Sequence, residues 1–159
     1  MITELNGELE AEAVLQDSRG EEAEITLYAL IGNPTPGTMR VRGRIEKEGL
    51  VILLNSGSTH NFIDVSLLSK LHIPVDTTPV LDVKVANGTI IKTHGLCSDV
   101  LVVIQGQKFY VQLHALSLDG CDLVLGTQWL STLGVISWDF KLLTMSFMYC
   151  GHPVLLQGM

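Results

Sequence analysis

The chain has 159 residues, 47% of them apolar, and carries 10 Lys+Arg against 17 Asp+Glu for a net charge of −7. That is one domain's worth of sequence with enough apolar residues to fill a core, and its acidic balance argues against nucleic acid as a partner. No apolar stretch approaches the roughly 18 residues that cross a bilayer, and the start MITELNGELEAEA lacks the basic and apolar regions of a secretion signal.

Residues 1–24 are rich in Glu and Ala, with little apolar periodicity beyond Ala11, Ala13, Val14 and Leu15, and read as an acidic, flexible leader. The globular part is expected over residues 25–157. Ile25 to Leu30 alternates as a strand, and Gly32-Asn33-Pro34-Thr35-Pro36-Gly37 breaks it. Met39 to Ile45 alternates again, and its Arg40, Arg42 and Arg44, with Lys47 beyond, read as the solvent face of one strand. Leu50-Val51-Ile52-Leu53-Leu54 is a continuous apolar run ending at Asn55-Ser56-Gly57, the pattern of a strand buried on both faces that enters a tight loop. A short helix should follow, capped by Asp64, striped by Leu67, Leu68 and Leu71, and stopped by Pro74.

Val80 to Val85 and Thr89 to Lys92 flank Ala86-Asn87-Gly88, and Asn-Gly is a strong hairpin signal, so a projecting hairpin is expected. Strands at Asp99 to Ile104 and Lys108 to Ala115 share the turn Gln105-Gly106-Gln107. Asp122-Leu123-Val124-Leu125-Gly126 is a second apolar strand ending at glycine, followed by a short helix from Thr127 to Leu133 that Gly134 terminates. Val135 to Asp139, Leu142 to Tyr149 and Val154 to Leu156 complete the chain as strands. A buried strand, a Gly-containing break and a short helix thus occur twice, at 51–71 and 122–134. The class is all-β, mostly strand with short helices in a closed or sandwich-like sheet.

Cys97, Cys121 and Cys150 are odd in number and widely spaced, and the five histidines form no ligand pair. Neither a disulfide framework nor a metal site nor any cofactor is expected, and the thiols suit an intracellular protein.

A bare Asx-Ser-Gly triplet is an ordinary turn sequence. Here it stands between an apolar strand and a short helix, in Val51-Ile52-Leu53-Leu54-Asn55-Ser56-Gly57-Ser58-Thr59-His60-Asn61-Phe62-Ile63. That segment resembles the active-site segment of the retropepsins, which carry Asp-Ser/Thr-Gly after such a strand. Leu123-Val124-Leu125-Gly126 and its helix resemble the second hallmark of that family, and the hairpin at Asn87-Gly88 lies between them as the family's flap does. The resemblance covers roughly residues 25–157. The Ser-Thr-His-Asn-Phe tail, Gly126-Thr127-Gln128-Trp129-Leu130 and Ile136-Ser137-Trp138-Asp139 are similar to gypsy-type LTR retrotransposons in particular.

The resemblance implies a retropepsin-like barrel with one lobe per chain, completed as a homodimer. Aspartic proteases hold two carboxylates close enough to share one proton, so that one acts as base on a water while the other acts as acid. This chain has one such motif, because Leu118-Asp119-Gly120 lacks the preceding apolar strand. Two copies must therefore meet at a two-fold axis, and the terminal apolar segments Phe147-Met148 and Val154-Leu155-Leu156 are expected to seek a partner there. Carried over by resemblance, Ser56 ties the two loops to each other and Gly57 allows close approach. Ser58 hydrogen-bonds residue 55, and Ala86, Asn87, Gly88 and Thr89 form a flap over an extended peptide.

The departure falls at Asn55, where the family has its catalytic Asp. An amide neither ionises near neutral pH nor accepts and returns a proton, so the chain as written is expected not to cleave peptides. The reading is an aspartic endopeptidase domain that processes a retrotransposon polyprotein, in an inactive form. Its rival is a domesticated peptide-binding or dimerisation module that kept the fold.

Overall fold

In a computed structural model, residues 22–25, 37–85 and 88–159 are described. Residues 1–21, the Thr26–Leu30 part of the first expected strand, most of the following turn, and Ala86 and Asn87 at the hairpin tip lie outside them. The elements are β1 (Glu22–Ile25), β2 (Thr38–Ile45), β3 (Glu48–Asn55), β4 (Phe62–Asp64), α1 (Leu67–Lys70), β5 (Asp82–Val85) and β6 (Ile90–Lys92). There follow β7 (Leu96–Ile104), β8 (Gln107–Leu116), β9 (Leu123–Leu125), α2 (Thr127–Leu130), a 3-10 turn (Ser131–Leu133), β10 (Ser137–Asp139), β11 (Thr144–Tyr149) and β12 (His152–Gln157).

Six strands close into a barrel in the order β2-β3-β9-β4-β8-β7. Its shape follows from the apolar run in β3. Successive side chains of a strand point to opposite faces, and here both faces are buried: Leu50, Ile52 and Leu54 join the barrel's interior, while Leu53 enters a second apolar cluster with Ala23, Ile25, Phe62, Val83, Val85 and Val124. The second cluster lies between the barrel and a three-stranded sheet, β1-β5-β6. A strand with two cores must be apolar at every position, which is why no alternation is visible there.

The two strand-Gly-helix units pair side by side. β3 runs parallel to β9, with Ile52 opposite Leu123, Leu53 opposite Val124 and Leu54 opposite Leu125, so both strands deliver their following loops to the same end of the barrel. Asp122 locks the register, its Oδ2 accepting from the Val51 N–H at 2.8 Å while its own N–H donates to the Val51 carbonyl. Trp129 of α2 anchors the second unit, packing edge-to-face on Phe109 with ring centroids 5.2 Å apart. An aromatic pair in that geometry adds about 1 kcal/mol beyond its area burial.

Several details differ from the sequence expectation. β1 begins at Glu22, and Ala23 is fully buried, so the ordered sheet reaches into the stretch expected as leader. Asp64 does not cap α1: it ends β4, its Oδ1 accepting from Leu118 N–H and its Oδ2 from the Ser66 hydroxyl, and Ser66 stands at the helix N-cap. That helix ends at Lys70, before Pro74 is reached. His72 takes a left-handed φ of 54°, its N–H donates to Ser69 O, and Ile73 N–H donates to Leu68 O, a Schellman termination one turn earlier. The basic stripe is not a simple solvent face, since Arg40 is half-buried near Cys121. The terminal segments expected to meet a second copy pair with each other within the chain, and β12 stands at an edge of its sheet. β11 pairs with β12 within the chain, burying Met145, Phe147, Val154 and Leu156 and leaving Met148 and Leu155 exposed.

Gly126 gives a direct test of the junction. A Cβ there would lie 2.3 Å from Ser58 O and 2.6 Å from His60 O, backbone atoms that cannot yield cheaply, whereas a Cβ on Gly49 would meet nothing within 4 Å. Gly126→Ala should lower unfolding free energy by about 3 kcal/mol or more in chemical denaturation, and Gly49→Ala by about 0.5 kcal/mol or less.

Candidate active site

The candidate site is the loop that β3 pushes out of the barrel. Asn55 is the last residue of the β2–β3 ladder, opposite Thr38, and is only 2% exposed. Its amide is held at both ends: Oδ1 accepts from Gly57 N–H at 2.9 Å, and Nδ2 donates to Ser58 Oγ at 2.7 Å. A peptide N–H only donates, so the bond from Gly57 fixes which end of the amide faces it. Ser58 is completely buried and reaches Asn55 from beneath the loop, the bond to residue 55 expected of it. Ser56 and Gly57 form an exposed tip between two buried polar residues. The Ser56 hydroxyl donates to Gly37 O at 3.2 Å, and its N–H donates to the same carbonyl.

The second unit clamps this loop from behind. Gly126 sits against Ser58 O and His60 O, and beyond it the N–H groups of Thr127 and Gln128 donate to Ser58 O at 2.8 Å and Thr59 O at 3.2 Å. These amides open α2 and have no partner inside their own helix, so the loop carbonyls satisfy them. Asn61 closes the junction. It is 2% exposed, with Oδ1 accepting from Gly126 N–H, Nδ2 donating to Gln112 O, and its N–H donating to Gln128 Oε1. Sequence reasoning quoted Asn61 only as part of a motif and gave it no role. The available signal was a short polar side chain just ahead of a buried apolar pair.

Of the expected flap, β5 and β6 form an antiparallel hairpin with Val83 opposite Ile91. Gly88 takes φ +88°, its N–H donates to Val85 O, and Thr89 O accepts from Val85 N–H; both residues are exposed. The hairpin's base is not loose. β5 pairs in parallel with β1, and Glu24 of β1 exchanges hydrogen bonds with Thr59, its O accepting from Thr59 N–H at 3.0 Å and its N–H donating to Thr59 Oγ1 at 2.8 Å. The sheet that carries this hairpin is therefore tied to the candidate loop through β1.

The two buried cysteines, Cys97 and Cys121, do not offer a competing nucleophile. Burial pushes the Cys121 thiol up to about 11, with the nearby Arg40 charge opposing this in part, and burial also raises Cys97. Both stay protonated at neutral pH, where the thiolate is the reactive form. Among the described residues no group of three or more His, Cys, Asp or Glu side chains is placed to hold a metal ion.

With this geometry in place, comparison with known proteins becomes decisive. The sequence profile described as retroviral aspartyl protease matches residues 37–140, more than half of the chain. The chain belongs to the retroviral aspartyl protease family. Among solved structures it is similar to the retroviral protease-like domain of Ddi1 from Leishmania major, with a TM-score of 0.57 at 10% identity, covering 77% of this chain and 94% of that one. At such identity the likeness is one of fold. A retropepsin-like aspartic protease from Rickettsia conorii aligns with a TM-score of 0.47 at 17% identity, over 69% of this chain and 90% of that one. No curated protein matches the chain.

The role of Asn61 can be measured. Asn61→Leu removes the acceptor for a buried Gly126 N–H and the side-chain donor to Gln112 O, so unfolding free energy should fall by about 1–3 kcal/mol. Circular dichroism under urea denaturation, with Gln112→Ala as an exposed comparison, measures the loss.

Proposed function

We propose that this chain is one half of a homodimeric aspartic endopeptidase of the retropepsin type, intracellular, from a gypsy-type LTR retrotransposon polyprotein, and catalytically silent because residue 55 is Asn. The observation that carries the reading is the built loop at the end of β3. A residue the size of aspartate is held by the Gly57 N–H and the Ser58 hydroxyl, with the Ser56–Gly57 tip exposed. Membership of the retroviral aspartyl protease family, over residues 37–140, supports the reading. One chain supplies one such position, so acid and base require a second copy across a two-fold axis. An extended peptide would lie between the tips and under the β5–β6 hairpin, with Gly88 and Thr89, and with Ala86 and Asn87 beyond the described residues, as its cover.

In that arrangement Asn55 keeps the shape and removes the proton chemistry. A peptide-binding module that outlived its activity shares this geometry, and the two readings part on what a restored carboxylate does. In an Asn55→Asp protein the Gly57 N–H still donates to one carboxylate oxygen. The Ser58 hydroxyl, an acceptor now, rotates to donate to the other.

The expected outcome is cleavage of apolar-rich peptides by Asn55→Asp protein at acidic to near-neutral pH, and none by the unaltered chain. Two facing carboxylates split their titration, one proton being held above the ordinary Asp range. A folded-state value raised in the dimer stabilises it at low pH, and that contribution is lost as pH rises through the raised value. The restored dimer should therefore dissociate more readily toward neutrality than the Asn55 dimer, which has no titratable group at this position. Peptide cleavage and sedimentation on matched proteins from about pH 4 to 8 measure both. A folded, dimeric but inert Asn55→Asp protein would transfer the case to the binding module.

A further inference from the structure

We infer that this chain acts as an inhibitory subunit: the partner it fits is a second chain of the same fold that carries aspartate at position 55, which it captures in a mixed dimer unable to cleave. The inference rests on the two-chain active centre proposed above and adds a partner and a regulatory consequence to it.

The half-site is complete apart from its charge. Asn55 is buried and bonded at both ends of its amide, and the Ser56–Gly57 tip next to it is exposed. The surface that a second chain meets is made by that tip and by backbone that Asn and Asp leave in the same place. The Ser58 hydroxyl explains why: it accepts from an amide N–H in this chain and can donate to a carboxylate oxygen in another, with no backbone change. Nothing in the loop distinguishes an amide-bearing partner from a carboxylate-bearing one by shape.

Electrostatics distinguishes them. Two aspartate chains bring two carboxylates together, and like charges in a desolvated site repel unless a proton is held between them. A mixed pair places one carboxylate beside a neutral amide that offers both donor and acceptor groups, so the repulsion is absent. Mixed pairing should therefore be at least as favourable as pairing between aspartate chains. The mixed centre nonetheless lacks the chemistry. Hydrolysis needs one group to take a proton from water and another to give a proton to the leaving nitrogen, and an amide does neither. Each mixed dimer withdraws one competent chain from use.

The experiment holds Asn55→Asp chain at fixed concentration, adds unaltered chain, and follows cleavage of an apolar-rich peptide. With random pairing, activity falls in proportion to the fraction of competent chains, about tenfold at about a ninefold excess. Raising the peptide concentration should not restore it, because the loss is of active dimers. Native mass spectrometry of differently tagged chains should show mixed dimers as about half of all dimers at equal concentrations. Unchanged activity under excess, recovery at high peptide, or only self-paired dimers would overturn the inference while leaving the proposed function standing. An Asn55→Asp protein inert on its own would instead overturn the proposed function, and this inference with it.

Discussion

The arrangement depends on the close approach of Gly126 to the backbone of residues 58–60. Parallel pairing of β3 with β9 brings two loop-forming strand ends side by side, and the carbonyls of Ser58 and His60 fill the space a Cβ on Gly126 would need. By leaving out its own, Gly126 lets Ser58 O and Thr59 O reach the first amides of α2, and lets Asn61 Oδ1 reach the Gly126 N–H. The candidate loop is therefore held by fixed donors on its inner side while its tip remains exposed. A site built on strand ends and a helix start is held more firmly than one on a free loop.

This support explains how the chain keeps a protease's shape while carrying an amide at the decisive position. Most of what positions residue 55 is backbone: the Gly57 N–H, the ladder with Thr38, and the loop carbonyls held by α2. Those contacts do not depend on whether the side chain ends in oxygen or nitrogen, and Ser58, which bonds the amide from its own side chain, is a hydroxyl that serves either. On the proposed reading, stability and activity are separable at this site, because an amide in place of a carboxylate would remove proton transfer and keep these contacts.

Much of this was legible in the sequence. The uninterrupted Leu50–Leu54 run marked a strand with two cores, and Gln105-Gly106 marked a hairpin whose two turn residues both take positive φ, 50° and 86°. The motif at residues 55–57 and the Gly126 break were visible as a repeated pattern, and the closed, mostly β barrel follows from it. What was not legible depended on long-range partners. Asp64 has the composition of a helix cap, but Leu118 N–H, 54 positions away, takes its carboxylate. His72 ended α1 in a left-handed turn that glycine more often makes, so the sequence marked only the outer limit of the helix, at Pro74. The pairing of β11 with β12 was not legible because it depends on a tight turn at Cys150-Gly151, with φ of 52° and 84°, that carries no strong hairpin motif.

The central claim, that two copies of this loop meet, is tested most directly by placing a thiol at its tip. In a chain with Cys150→Ser, to remove the exposed native thiol, and Ser56→Cys, the new side chain sits on the exposed tip while Cys97 and Cys121 stay buried. Under mild oxidation the account predicts a disulfide-linked dimer that forms faster and more completely than the one the unaltered chain makes through Cys150. Covalent dimer no more abundant than that Cys150 background would contradict it.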